Sequence, residues 1–87
     1  FHLVEAMAAA GVAAGLKPAE AEKLARATVA GAGALLDADK SSAADLRVAV
    51  TSPGGTTEAA LKVLMPELPG LMTRAIAAAK KRAEELR

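Results

Sequence analysis

One stretch, Val50-Thr51-Ser52-Pro53-Gly54-Gly55-Thr56-Thr57, constrains this chain more than any other. It interrupts a sequence that otherwise builds Ala-rich helix. Pro53 has no N–H, fixes its own φ and biases Ser52 away from the helical region. Gly54 and Gly55 give the backbone freedom and leave it bare of side chains. The spacing therefore predicts a short helix from Ser42 to Val50 and a glycine turn. A new helix capped by Thr56 or Thr57 then runs to about Met65. A helix N-terminus presents free N–H groups and the positive end of the helix dipole. Flanked by three hydroxyls, such a turn suits an anion, either a carboxylate or a phosphate. The plainer reading is a connector with a threonine cap, since turns of this composition are common.

The rest of the composition sets the fold class. Of 87 residues, 24 are Ala and 22 are Leu, Ile, Val, Met or Phe. Such an Ala-rich, β-branch-poor chain is predicted to be all-α, with about five helices and no strand. It is one domain or a piece of something longer. With few large side chains, a monomer this short is marginal, and association with a second copy is the natural remedy.

Several function classes are disfavoured. The net charge is +1, and Phe1 is the single aromatic residue. That is no footprint for nucleic acid, which needs a basic face and rings for stacking. No apolar run nears the length of a membrane span. Cysteine is absent, which removes thiolate metal sites and disulfides and is compatible with a cytosol. His2 is the sole imidazole and reads as a solvated helix residue. No metal site is expected.

In chain order, residues 1 to about 14 follow an apolar stripe of Phe1, Val4, Met7, Ala8, Gly11 and Val12. The uncapped start at Phe1 reads as a chain cut in mid-element. Gly15 suits the position just past the helix end. Pro18 opens a second helix that runs to Ala38, with Glu20 and Glu22 in its first turns. Its stripe is Leu24, Thr28, Gly31 and Leu35. Ala27, Gly31 and Ala34 make this face thin, and Gly31 and Gly33 are read as allowing close approach by the third helix or by a partner subunit. Ser42 and Asp45 form a weak capping pattern before that third helix, in which Leu46, Ala49 and Val50 face inward. Ala60, Leu61 and Leu64 are the inward residues of the fourth helix. Pro66 and Pro69 are expected to bracket a connector before a fifth helix over about 70–86. The basic cluster Lys80-Lys81-Arg82 reads as a solvated face.

Taken together, the segments Glu5-Ala6-Met7, Thr28 to Ala32, Asp45-Leu46-Arg47, the Val50–Thr57 block and the tail to Leu86 resemble the C-terminal domain of pyrroline-5-carboxylate reductase. The resemblance covers residues 1–87, and the Val50–Thr57 block is its most specific part. It implies a helical dimerisation and substrate-binding domain that interlocks with its twin, in a cytoplasmic oxidoreductase of proline biosynthesis. It implies that Ser52 and the backbone around Gly55, Thr56 and Thr57 hold the substrate carboxylate. Val50, Pro53 and Gly54 complete the substrate-binding turn. It implies, too, that the Thr57 hydroxyl lies against the ring nitrogen as the catalytic group. Val48 stands where many members carry an acidic residue. Lys40 and Ser42 make the 39–43 connector atypical.

No Gly-x-Gly-x-x-Gly segment occurs in the 87 residues. The NADP- or NAD-binding Rossmann domain of the family is therefore expected outside this chain, which alone should neither bind the cofactor nor turn over. Two alternatives stand beside this reading. One is a non-enzymatic helical dimerisation module. The other is the dimerisation domain of a related dehydrogenase, which would normally use a catalytic lysine. Lys23 and Lys62, the mid-helix lysines before the last helix, sit in no matching motif.

Overall fold

A computed structural model describes residues 1–87 and is all-helical. Four helices follow one another: α1 (His2–Ala13), α2 (Pro18–Ala38), α3 (Ala43–Ala49) and α4 (Thr56–Glu85). They fall into two units, Phe1–Ala43 and Ala44–Arg87.

The first unit is an α1–α2 hairpin. Its turn has a specific chemical cause. Gly15 takes φ +112°, a left-handed value that favours glycine. The Gly15 N–H then donates to the Val12 carbonyl and the Leu16 N–H to the Gly11 carbonyl, both at 3.0 Å. Those paired bonds are the Schellman arrangement, and they satisfy carbonyls that the helix end would otherwise orphan. Pro18 stands at the start of α2, where its missing N–H costs nothing.

The hairpin closes over small residues. Of the predicted stripe, Val4, Met7, Ala8 and Gly11 are half-buried on α1, whereas Phe1 and Val12 are exposed. The facing residues of α2 are Ala21 and Ala25, both buried, with Val29 half-buried. This corrects the expected α2 stripe: Leu24, Thr28, Gly31 and Leu35 all face outward. The reason is the short distance between the helices. A Cβ added at Gly11 would lie 3.2 Å from the Ala21 Cβ and 3.3 Å from the Leu16 Cδ1. Only a methyl-sized residue fits opposite such an approach, so the leucine face is turned away. Gly31 and Gly33, the expected points of close approach, have nothing within 4 Å of an added Cβ.

The second unit holds α3 and α4. Ser42 directly precedes α3, where the capping pattern places it. Leu46 is half-buried, whereas Ala49 and Val50 are exposed, contrary to the inward face expected for them. In α4 only Leu61 of the expected trio is half-buried, Ala60 and Leu64 being exposed. The expected fourth and fifth helices are one continuous helix of 30 residues with Pro66 and Pro69 inside it. Each proline removes one backbone bond, to Lys62 and to Met65 respectively, at a cost of about 3 kcal/mol. Three residues apart, the two losses fall near one side of the cylinder. Glu67 and Leu68 remain able to donate between them. The Thr73 hydroxyl also donates to the Pro69 carbonyl, at 2.9 Å.

No residue of the second unit is buried, and across the chain Ala21 and Ala25 alone form the core. Along α4, Val63, Leu64, Met65, Leu68, Leu71, Met72 and Ile76 are each at least 44% exposed. Apart from half-buried Leu61, the large apolar side chains of α4 are left largely uncovered within its own unit.

Candidate functional site

The Val50–Thr57 block forms the connection between α3 and α4, as its sequence predicts. The Gly55 N–H donates to the Ser52 carbonyl at 3.0 Å, closing a four-residue turn. Pro53 occupies the second position of that turn. Gly54, the third, takes φ +73°. Proline followed by a positive-φ glycine is the chemistry of a type II turn. The two glycines are required for different reasons. Gly54 needs its left-handed backbone. Gly55 needs space, because a Cβ there would lie 3.1 Å from the Ser52 carbonyl oxygen.

Gly55 is the N-cap of α4, with φ −86° and ψ 179°. Thr56 and Thr57 are therefore the first two helical residues, and neither side chain caps the helix. This corrects the expectation of a threonine cap. The end is closed instead by Glu58, whose Oε1 accepts from the Gly54 N–H at 3.3 Å. Glu58 is the third helical residue, the position from which a glutamate folds back in a capping box. Sequence reasoning passed over it, although a Glu two residues inside a helix start is a readable signal.

The Thr51 hydroxyl is tied to the Arg47 carbonyl. The hydroxyls of Ser52, Thr56 and Thr57 make no bond within the chain. Ser52 and Thr56 are exposed and Thr57 is half-buried. The first intrahelical bond runs from the Ala59 N–H to the Gly55 carbonyl. It leaves the N–H groups of Thr56, Thr57 and Glu58 without a backbone partner. Ser52, Gly55, Thr56 and Thr57 are thus gathered into one turn by local bonds, with three free donors beside three free hydroxyls. Pro53 and Gly54 shape that turn. Val50, exposed at the end of α3, stands outside its hydrogen bonds. The arrangement can hold a carboxylate and present a hydroxyl to a neighbouring polar atom.

A depression of about 670 Å³ lies in the same unit, lined by Val48, Leu61, Met65 and Pro66, with Arg47 and Lys62 among its polar members. It touches Thr51 and Glu58 but not Ser52 or Thr57. His2 is 91% exposed and pairs with Glu5 on the α1 surface, which fits its reading as a solvated residue. Before α3, the Ser41 hydroxyl and N–H hold the Asp39 carboxyl below its ordinary value of 3.8. The chain gathers no group of His, Cys, Asp and Glu able to hold a metal. No helix is long and apolar enough to cross a membrane.

The family model described as pyrroline-5-carboxylate reductase dimerisation matches residues 1–86. A pyrroline-5-carboxylate reductase of Mycobacterium leprae is 45% identical over all of this chain and 36% of its own length. One from Synechocystis is 42% identical over 97% of this chain and 32% of its own length. A plant relative, from Pisum sativum, is 42% identical over 99% of this chain and 32% of its own length. The chain thus spans about a third of the length of these relatives. By that match and these identities, the chain belongs to the pyrroline-5-carboxylate reductase dimerisation family.

Proposed function

We propose that this chain is the dimerisation and substrate-binding domain of a cytoplasmic enzyme that reduces 1-pyrroline-5-carboxylate to L-proline with NAD(P)H. The observation that carries the reading is the turn. Its free N–H groups at Thr56 and Thr57 and its Ser52 hydroxyl form an anion site on a helix start, and this substrate has one carboxylate. The relatives' names supply the substrate class.

The residues of this chain do not fit a dinucleotide. There is no strand and no Gly-x-Gly-x-x-Gly to cradle a pyrophosphate. The reductant is assigned to a separate domain. What this chain does is bind and orient. The Ser52 hydroxyl and the turn donors fix the carboxylate. The Thr57 hydroxyl, half-buried and unbonded, lies against the ring nitrogen. It orients that nitrogen first and relays its proton second, because a threonine hydroxyl is too weak an acid to be the sole proton source. A second copy of the chain covers the exposed apolar faces and makes the domain a homodimer.

The test is steady-state kinetics of the enzyme carrying this domain, with 1-pyrroline-5-carboxylate as substrate. Reduction to proline, with a KM raised at least tenfold in Ser52→Ala, is the expected result. An enzyme inert toward this substrate but active on an acyclic acid would point to the related-dehydrogenase alternative.

A further inference from the structure

Five consecutive backbone N–H groups, from Gly54 to Glu58, lead from the turn into α4. They are not equivalent. The Gly55 N–H is consumed by the Ser52 carbonyl at 3.0 Å. The Gly54 N–H is consumed by the Glu58 carboxylate, through Oε1 at 3.3 Å. Thr56, Thr57 and Glu58 keep theirs. Gly54 sits at φ +73° in the turn, and Glu58 is the hydrogen-bond partner of its N–H. The same Glu58 Oε1 lies 3.9 Å from the Lys62 ammonium, one helical turn on. The Glu58 side chain is 38% exposed, against 77% for Lys62, so the carboxylate is the less solvated of the two. A bare carboxylate next to an anion site would repel the substrate; the lysine offsets that charge.

We propose that Glu58 is a positioning residue of the substrate turn, a role that rests on the reading of that turn as the carboxylate site. By holding the Gly54 N–H, it fixes the turn in one shape and leaves an incoming carboxylate to the Thr56 and Thr57 donors. Lys62 keeps the arrangement near neutral. Glu58 touches no reacting atom in this scheme; it acts through Gly54.

The experiment is kinetics on the enzyme carrying this domain, with melting temperatures measured alongside, for Glu58→Ala, Glu58→Asp, Glu58→Gln and Lys62→Gln. Glu58→Ala is expected to raise KM about three- to tenfold with kcat within about twofold, the scale of one partly exposed charge-assisted bond. Glu58→Asp keeps the charge but is one methylene too short to reach Gly54, so it should match Glu58→Ala even where the alanine variant folds poorly. Glu58→Gln still offers a carbonyl oxygen to Gly54 and should restore KM to near wild type. Lys62→Gln should raise KM at low ionic strength and lose that effect at about 0.5 M salt, where charges are screened within a few ångströms. Wild-type KM in both Glu58→Ala and Glu58→Asp would overturn the proposal, as would a Glu58→Gln variant no better than Glu58→Ala. A wild-type enzyme without turnover would overturn the function and this role together, whereas an active wild type with indifferent Glu58 variants would overturn this role alone.

Discussion

Thr57 and Ser52 differ in what they contribute, and kinetics separates them. Removing the Ser52 hydroxyl takes away a contact to the substrate carboxylate that is the same in ground and transition states, so Ser52→Ala should act mainly on KM. Thr57→Ala should lower kcat, because its contact to the nitrogen matters most as the imine is reduced. Thr57→Ser keeps the hydroxyl and should restore kcat. A simple capping role would show as lost melting temperature with full kcat, and the position of Thr57 inside the helix, with no capping bond, already argues against it. Gly55 gives a separate test. An alanine there meets the Ser52 carbonyl oxygen at 3.1 Å and should destabilise the domain by roughly 1–3 kcal/mol in thermal denaturation, while raising KM. At the connector, the lowered carboxyl of Asp39 contributes stability above its unfolded value. That contribution is lost as pH falls through the lower, folded value. An NMR titration of the Asp39 side chain should therefore give a midpoint under 3.8. At this scale the sequence was most legible. Proline and glycine carry their backbone requirements with them, so the turn at Ser52–Gly55 and the left-handed Gly15 could be read directly. Glu58 carried a readable capping signal, but its particular bond to Gly54 could not be read from it, because a glutamate near a helix start is equally at home pointing to solvent.

Helix ends followed sequence wherever the ending residue had a single physical role. Pro18 and Gly15 set the α1–α2 turn for that reason. Pro66 and Pro69 were read as breakers, and the chain runs through both as helix. Proline penalises the helix interior without forbidding it, so its effect depends on what the neighbouring turns gain by continuing. Substituting both by alanine should raise the stability of α4 by several kcal/mol at most, given about 3 kcal/mol for each proline in a helix interior. A connector at 66–69 would gain nothing, so the melting temperature of the double variant decides between the two. The choice of buried face on α2 was hidden for a different reason. Hydrophobicity favours the Leu24–Leu35 side, but the close approach at Gly11 admits only alanines. Gly11→Leu should separate α1 from α2 and cost roughly 1–3 kcal/mol or more, measurable by chemical denaturation.

For the molecule as a whole, the deciding fact is missing burial. The Phe1–Ala43 unit buries only Ala21 and Ala25, and the Ala44–Arg87 unit buries no residue. The outward leucines of α2 and the apolar side of α4 are thereby left uncovered, and a second copy is the cover this account expects for them. Gly31 and Gly33, with open space around them, leave room for a partner's backbone to come close. The composition made this need legible, since so few large side chains cannot build a core alone. It could not say which faces would stay uncovered, because that depends on helix spacing. The account stands most directly on sedimentation of the 87-residue chain at micromolar concentration. It predicts a species of twice the 8.7 kDa monomer mass, helical by circular dichroism and unfolding only as it dissociates. A cooperative, well-folded monomer under the same conditions would contradict it.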